Sequence, residues 1–179
     1  MTLLNIAEIC SATRTLGPGQ RFAIWVQGCC FNCKGCVSPE WIPQTQATLI
    51  EPKKLAEMIL SVPGTEGVTV SGGEPMLQAI ALRELFIYLR QGRQISIICF
   101  TGFSLQQLQS QSDRAIDDIL TLVDVLIDGQ YIEQLNDNKG WRGPLIRWFI
   151  FSHPVIYRKR VCFWKGNGMW KFICGMIRH

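Results

Sequence analysis

The sequence predicts an α/β protein with a mainly parallel sheet, arranged as an open, partial (β/α) barrel. Short β-prone runs alternate with segments of helical periodicity, which is the pattern of βαβ units with right-handed crossovers. Glycine or polar residues directly follow each β-prone run, at the strand end where α/β folds place their functional sites. The 179 residues contain too few such units for a closed eight-stranded barrel.

Four runs are predicted to be strands because they are short, apolar and bounded by turn residues. They are residues 22–27, 67–71, 94–100 and 122–127. The residues that follow them are, in the same order, Gly28, Gly72, Thr101 and Asp128. If the strands are parallel, all four residues lie at one edge of the sheet.

Four segments are predicted to be helices, at residues 52–61, 77–90, 104–110 and 113–120. Pro52 suits a first helical turn, and Ser104 and Asp113 can each cap a helix amino terminus. The second segment has an apolar stripe at helical spacing, formed by Leu82, Leu85, Phe86 and Leu89. Gly92 follows it as a stop signal.

The composition, 47% hydrophobic and 18% charged, is that of a globular protein. No apolar run approaches the roughly 20 residues that a membrane-spanning helix needs, and the amino terminus lacks the basic region of a secretory signal. We therefore expect a cytoplasmic protein with no membrane partner.

The net charge of +4 is unevenly distributed. Residues 1–137 carry nine Lys/Arg and all 14 Asp/Glu, whereas residues 138–179 carry nine Lys/Arg and no acidic residue. A basic segment of this kind is compatible with nucleic acid or an acidic surface. We nevertheless do not expect nucleic acid as a partner.

A cysteine-rich loop is the strongest functional signal. Four of the eight cysteines lie between Cys29 and Cys36, and such clustering indicates metal or redox chemistry in a reducing compartment. Cys29, Cys33 and Cys36 have the spacing CxxxCxxC; three thiolates on one loop can hold three irons of a 4Fe–4S cubane and leave the fourth open to a ligand. The scattered cysteines are predicted to be ordinary apolar residues: Cys10, Cys99, Cys162 and Cys174.

Cys30 leaves the ligand set open. Neighbouring side chains of an extended segment point to opposite sides, so Cys29 and Cys30 are not expected to bind one cubane together. We predict that Cys30 is a spectator, but spacing alone does not exclude a frame of Cys30, Cys33 and Cys36. A closed structural zinc site with a fourth ligand, or a reactive-cysteine loop without metal, would also account for the cluster.

A second motif, Ser71-Gly72-Gly73-Glu74-Pro75, ends a predicted strand and precedes a predicted helix. Two adjacent glycines let the backbone approach a ligand closely. The motif follows the CxxxCxxC loop by about forty residues. Together the loop and the turn resemble the cluster motif and the SAM-binding turn of the radical S-adenosylmethionine (SAM) superfamily.

More narrowly, the chain resembles the activating proteins of anaerobic ribonucleoside-triphosphate reductase, which are glycyl radical enzyme activases. The shared stretches are VQGC at 26–29, CKGC at 33–36, TVSGGEPMLQ at 69–78, TGF at 101–103, VDVLIDG at 123–129 and WRG at 141–143. The resemblance runs from about residue 17 to residue 143 and implies a fold of the radical SAM type. Gly35 stands where many other superfamily members carry an aromatic residue, as it tends to in this activase group.

The resemblance implies two cofactors, a 4Fe–4S cluster held by Cys29, Cys33 and Cys36, and SAM. It implies that the open iron binds the amino and carboxylate groups of SAM, and that one electron then splits the sulfonium. The resulting 5′-deoxyadenosyl radical would take a hydrogen atom from a backbone glycine of the reductase. No side chain is assigned a catalytic role beyond the cluster and SAM. The implied partners are the reductase and an electron donor such as flavodoxin or ferredoxin.

Five further residues are implied as SAM-binding residues: Gly72, Gly73, Glu74, Thr101 and Asp128. The first three would meet the amino end of SAM. Thr101 and Asp128 would add polar contacts to SAM or a cation, although both also suit helix or turn capping. Lys34 and Arg14, near the loop, are interpreted as solvated charges, and no role is expected for His153 or His179.

The resemblance stops after Gly143. Family members usually continue with polar residues, whereas residues 144–151 here read PLIRWFIF. We therefore predict an activase-like domain at residues 1–143 and an atypical basic, Trp-rich tail at residues 144–179, produced by a shifted reading frame or an unrelated extension. Two alternative functions remain at this point: a radical SAM enzyme acting on a small molecule, and a non-catalytic zinc or iron–sulfur binding protein.

Overall fold

The structure is a computed structural model of the chain, and it describes residues 2–133. These residues form one six-stranded sheet with the order β3-β1-β2-β4-β5-β6. The strands are β1 (Leu4–Thr13), β2 (Arg21–Val26), β3 (Thr48–Ile50), β4 (Gly67–Gly72), β5 (Ser96–Phe100) and β6 (Val125–Ile127). The helices are α1 (Pro52–Ser61), α2 (Ala79–Gly92), α3 (Leu105–Ser110) and α4 (Arg114–Leu122). Short 3₁₀ turns lie at Pro39–Trp41 and Pro75–Gln78.

Several predictions from the sequence lie outside the described residues. They are the domain boundary after residue 143, the tail at 144–179, the WRG stretch at 141–143, and the residues Cys162, Cys174, His153 and His179.

The prediction of an α/β fold with a mostly parallel sheet is confirmed. Strands β2, β4, β5 and β6 run parallel, each paired with its neighbour. Strand β1 is antiparallel to both β2 and β3. The sequence pattern did not predict β1, because a register shift between Ile6 and Glu8 interrupts its alternation of apolar and polar residues. It did not predict β3, which has only three residues.

Helix α1 has the predicted bounds, and the predicted caps of α3 and α4 are confirmed. The side chain of Ser104 accepts a hydrogen bond from the amide of Gln107 within a capping box, and Asp113 accepts from the first turn of α4. The predicted start of the second helix at residue 77 is wrong, because a 3₁₀ turn that begins at Pro75 precedes α2. The predicted strand starts at residues 94 and 122 are also wrong. Strand β5 begins at Ser96, and β6 begins at Val125, after α4 has ended at Leu122.

The sheet has one face packed against helices. The core residues of β2 on this face, Phe22, Ile24 and Val26, pack in one apolar cluster with residues of α1, α2 and α4. Alternate strand residues point to the opposite face, which carries Arg21, Ala23, Trp25, Thr69 and Ser71. The register pairs Ala23 with Thr69 and Trp25 with Ser71, so these side chains form rows across the second face.

The scattered cysteines that the structure describes lie in strands. Cys99 is buried in β5, and Cys10 is partly buried in β1. Both positions agree with the prediction of ordinary apolar residues. Within residues 2–133, no helix has the length and apolar character to cross a membrane.

Candidate iron–sulfur site

The cysteine loop leaves the carboxyl end of β2, as predicted. Gly28 turns the chain with φ of +95°, a value that favours glycine. Its amide donates to the carbonyl of Trp41 at 2.9 Å, and the amide of Cys29 donates to the carbonyl of Ile42 at 2.9 Å. These two hydrogen bonds fix the start of the loop against the segment that follows it.

The three predicted ligands, Cys29, Cys33 and Cys36, are partly exposed free thiols, whereas Cys30 is exposed. Partial burial raises the pKa of Cys29. In the part of the chain that the structure describes, no three His, Cys, Asp or Glu side chains converge on a single ion. In a 4Fe–4S cubane each protein thiolate binds a separate iron, so the thiols do not have to converge on one point. Three partly exposed thiols on one loop therefore form a donor set that fits a cubane.

The Gly72–Gly73 turn contacts the start of the cysteine loop through the backbone. The amide of Gly73 donates to the carbonyl of Val26, and the amide of Glu74 donates to the carbonyl of Gly28, each at 2.8 Å. A Cβ atom at position 73 would lie 2.1 Å from the carbonyl oxygen of Gly28. Position 73 therefore requires glycine, because a side chain would push the two loops apart.

Glu74 has a buried carboxylate, with only 1% of the residue exposed. One carboxylate oxygen accepts hydrogen bonds from the amide of Met76 at 2.9 Å and from the hydroxyl of Thr101 at 2.8 Å. The other accepts from the amide of Gly102 at 2.7 Å. Burial raises the pKa of Glu74, and these three hydrogen bonds oppose that shift. The carboxylate thus ties the turn after β4 to the turn after β5.

Thr101 and Asp128 lie at the ends of β5 and β6, as predicted, and both make internal contacts. Thr101 is buried, and its hydroxyl also accepts from the amide of Phe103 at 3.2 Å. Asp128 accepts from the amide of Leu105, the first residue of α3, at 2.7 Å. Thr101 is thus joined directly to Glu74, whereas Asp128 holds the start of α3.

Sequence reasoning missed an aromatic contact at this site. Phe31, inside the cysteine loop, packs edge to face on Phe103, with ring centroids 4.8 Å apart. The signal that was available is the position of Phe31 between two cysteines and of Phe103 in the TGF stretch.

The two charged residues near the loop lie at the surface. The side chain of Lys34 is 83% exposed, and its Nζ atom lies 3.9 Å from Oε2 of Glu133. Arg14 is exposed as well. Both positions agree with the interpretation as solvated charges.

A family model described as a 4Fe-4S single cluster domain matches residues 15–145. This match covers most of the chain and includes the cysteine loop and the Gly72–Gly73 turn. The fold and the site therefore define the class of protein: the chain belongs to the 4Fe-4S single cluster domain family. The match favours an iron–sulfur cluster over the zinc site that spacing alone left open.

Within this class, the relatives are activating proteins. The chain is 31% identical over 136 residues to the anaerobic ribonucleoside-triphosphate reductase-activating protein of Haemophilus influenzae, covering 71% of this chain and 84% of that protein. It is 31% identical over 150 residues to the protein of the same name from Vibrio cholerae, covering 79% and 90%. A "Putative glycyl-radical enzyme activating enzyme" of Haemophilus influenzae is 40% identical over 90 residues, which span 49% of this chain but only 34% of that protein. The resemblance predicted from the sequence is confirmed.

Proposed function

We propose that this chain is a radical SAM enzyme that places a glycyl radical on an anaerobic ribonucleoside-triphosphate reductase or a similar glycyl radical enzyme. The observation that carries the proposal is the meeting of two motifs at one edge of the sheet. The Gly72–Gly73 turn bonds to the base of the cysteine loop through the carbonyls of Val26 and Gly28. The relatives whose names describe reductase activation support the choice of partner.

In this proposal Cys29, Cys33 and Cys36 hold the 4Fe–4S cluster, and Cys30 does not. When bound and reduced, the cluster would supply the single electron for reductive cleavage of SAM, and this chemistry would lead to removal of a hydrogen atom from the partner's glycine. Three protein thiolates leave one iron for SAM, which is the reason that a loop with three ligands suits this chemistry better than one with four.

SAM is proposed to lie beside the Gly72–Gly73 turn, with its amino end against the backbone of that turn. The carboxylate of Glu74 already accepts three internal hydrogen bonds, so its role is to hold the turn in place. Thr101 contributes through the same carboxylate, and Asp128 through the start of α3. Either residue can also offer an oxygen to SAM or to a cation at the carboxyl ends of the strands.

The second face of the sheet is proposed to be the inner face of an open partial barrel. Trp25 and Ser71 lie side by side on this face, one residue before the ends of β2 and β4. Trp25 also packs against Trp41, with ring centroids 5.8 Å apart. An apolar wall beside the site would exclude water from a reactive radical, which is the part of the reaction that falls to the protein.

The proposal includes a cellular setting. The ligand thiols must be reduced and deprotonated to bind iron, which is consistent with the cytoplasm. An electron donor such as flavodoxin or ferredoxin would reduce the cluster.

The decisive experiment is anaerobic reconstitution of the full chain with iron and sulfide. The expected result is a 4Fe–4S electron paramagnetic resonance (EPR) signal that changes when SAM is added, with release of 5′-deoxyadenosine under dithionite. Tight zinc binding without a response to SAM, or a cluster that releases no 5′-deoxyadenosine, would reject the proposal. A glycyl radical signal on added reductase separates an activase from a small-molecule radical SAM enzyme, which would cleave SAM without it.

A further inference from the structure

Phe31 connects the cysteine loop to the turn that follows β5. Its ring lies over Gly102, where an added Cβ atom would come within 2.5 Å of the ring atoms Cδ2 and Cε2. The same ring packs edge to face on Phe103, with an interplanar angle of 66°. The contact therefore requires a residue without a side chain at position 102 and an aromatic ring at position 103.

The turn that receives the Phe31 ring is itself fixed. The amide of Gly102 donates to Glu74 at 2.7 Å, and the hydroxyl of Thr101 donates to the same carboxylate at 2.8 Å. The carbonyl of Phe103 accepts from the amide of Gly129 at 3.0 Å. The ring thus packs on a turn that is held by three hydrogen bonds.

At its other end, Phe31 contacts a proposed cluster ligand. Its backbone amide donates to the sulfur of Cys29 at 3.4 Å. The ion pair between Lys34 and Glu133, 3.9 Å apart and exposed to solvent, holds the same loop only weakly. An aromatic residue at position 35 could not replace Phe31 without backbone strain, because Gly35 has a φ of +72°, which favours glycine. Backbone hydrogen bonds of Gly28 and Cys29 fix the start of the loop, and the Phe31 ring packs the residues after Cys29 against the turn that follows β5.

We infer that Phe31 is a positioning residue that holds the cysteine loop against the Thr101–Gly102–Phe103 turn, and thereby sets the orientation of the Cys29 thiol before a cluster binds. The inference rests on the proposed role of Cys29 as a ligand. A loop that is ordered beforehand loses less conformational entropy when it takes up the cluster. Without the ring, the residues after Cys29 would sample open positions that break the hydrogen bond from the Phe31 amide to the Cys29 sulfur and expose that thiol, while the Cys29 backbone stays bonded to Ile42.

Thiol reactivity in the reduced, metal-free full chain tests the inference without any SAM chemistry. An aromatic pair is worth about a tenfold change in an equilibrium constant, so Phe31→Ala should raise the alkylation rate of Cys29 by up to about tenfold. Phe31→Tyr should restore the wild-type rate, and Cys10 in β1 is the internal control. Fragment-ion mass spectrometry resolves the individual cysteines. An unchanged rate for Cys29 in Phe31→Ala would overturn the inference, and so would an equal rise at Cys10.

A double-mutant cycle separates this contact from general destabilisation. Gly102→Ala adds a methyl group that collides with the ring, so it should accelerate alkylation of Cys29 in the wild-type background. In the Phe31→Ala background the ring is gone, and the same substitution should add little. Fully additive effects would show that the two residues act independently. If Phe31→Ala does not fold, Phe31→Leu replaces it in the cycle.

The reconstituted holoprotein gives an independent readout. Phe31→Ala should lower the rate of cluster assembly and broaden the EPR signal of the reduced cluster, whereas Phe31→Tyr should behave as wild type. Unchanged assembly and an unchanged signal would contradict the inference. If the alkylation results hold but no 5′-deoxyadenosine forms, the proposed function fails and the positioning role stands.

Discussion

Both ends of the parallel strands contain an almost fully buried charged residue, Arg21 at the amino ends and Glu74 at the carboxyl ends, but only the carboxyl ends border a partly exposed loop. At the amino ends, Arg21 is fully buried and donates to the carbonyls of Pro18, Val68 and Ser96 and to two hydroxyls. At the carboxyl ends, Glu74 accepts from two amides and one hydroxyl. Each charge is satisfied by neutral groups, so each end meets the requirement that buried charges be hydrogen-bonded.

The surroundings of the two charges differ. Around Arg21, Cβ atoms added at Gly17 and Gly67 would lie 2.6 and 2.2 Å from the arginine side chain, so this end is tightly filled. Burial lowers the pKa of Arg21 to about 10, and Asp124 and Glu66 oppose that shift. Glu74 instead ties together turns that border the partly exposed cysteine loop. A buried, fully hydrogen-bonded charge thus closes the sheet at one end, and at the other it connects turns that border the proposed cluster loop.

The largest expected effect is at the carboxyl ends of the strands. Replacing Cys29, Cys33 or Cys36 singly by Ala should reduce iron from about four atoms per chain to background, while the unfolding midpoint of the metal-free chain stays near wild type. Cys30→Ala is the control and should retain the cluster. Iron and sulfide analysis with EPR measures the outcome. If Cys29→Ala retains the cluster and Cys30→Ala loses it, the ligands are Cys30, Cys33 and Cys36 instead.

Gly73→Ala should strongly destabilise the fold at the Gly72–Gly73 turn. The added methyl would lie 2.1 Å from the carbonyl oxygen of Gly28, and such overpacking against backbone costs about 3 kcal/mol of unfolding free energy. Gly129→Ala is the matched control. A Cβ atom added at position 129 would have no neighbouring heavy atom within 4 Å, and Gly129 has a φ of +96°, so this substitution should cost only roughly 1–2 kcal/mol of strain. Urea denaturation of the reduced chain compares them, and equal losses would contradict the close contact between the loops.

Arg21→Met should weaken the closed end without changing the site. The carbonyls that the guanidinium now satisfies would be left buried and unpaired, which costs about 2–3 kcal/mol. Arg83→Met is the control, because Arg83 makes a partly exposed ion pair with Asp118 that is worth at most about 1 kcal/mol. Urea denaturation measures both variants, and iron binding should survive in both. Loss of cluster assembly in a folded Arg21→Met chain would show that the two ends are coupled.

Glu74→Gln should have the smallest effect, and one that depends on pH. Burial raises the pKa of Glu74 above its ordinary value of 4.5, so the folded chain binds a proton more tightly here than the unfolded chain. This contribution to stability is complete below the unfolded pKa and is lost as pH rises through the folded pKa. Gln does not titrate, so the cost of the substitution, about 1–2 kcal/mol, should be largest at low pH and should shrink as pH rises.

Urea denaturation of the reduced chain between about pH 4 and pH 8 measures this difference. Glu57→Gln, at an exposed position of α1, is the control and should show no such trend. A cost of Glu74→Gln that does not vary with pH would show that the carboxyl titrates alike in the folded and unfolded chains.

Local signals were sufficient for most helices and for the parallel strands. Pro52, Ser104 and Asp113 act through neighbours within one turn, so the starts of α1, α3 and α4 are readable from residue type. Strand β1 could not be predicted from the sequence, because its register shift interrupts the alternation of apolar and polar residues on which strand prediction depends. The start of α2 was misjudged because the side chain of Glu74 caps a 3₁₀ turn there, before the helix begins.

For the site, the sequence by itself determined the paired-glycine turn and predicted a donor set of three cysteines. The spacing of Cys29, Cys33 and Cys36 and the paired glycines at 72 and 73 are properties of adjacent residues, and they sufficed to predict an iron–sulfur protein related to reductase activases. Only the tertiary structure decided that Glu74 bonds to Gly102, that Phe31 packs over Gly102, and that Arg21 closes the opposite end. Each of these contacts joins residues far apart in the chain, and such pairs meet only after the order of strands in the sheet is set by packing of the whole core.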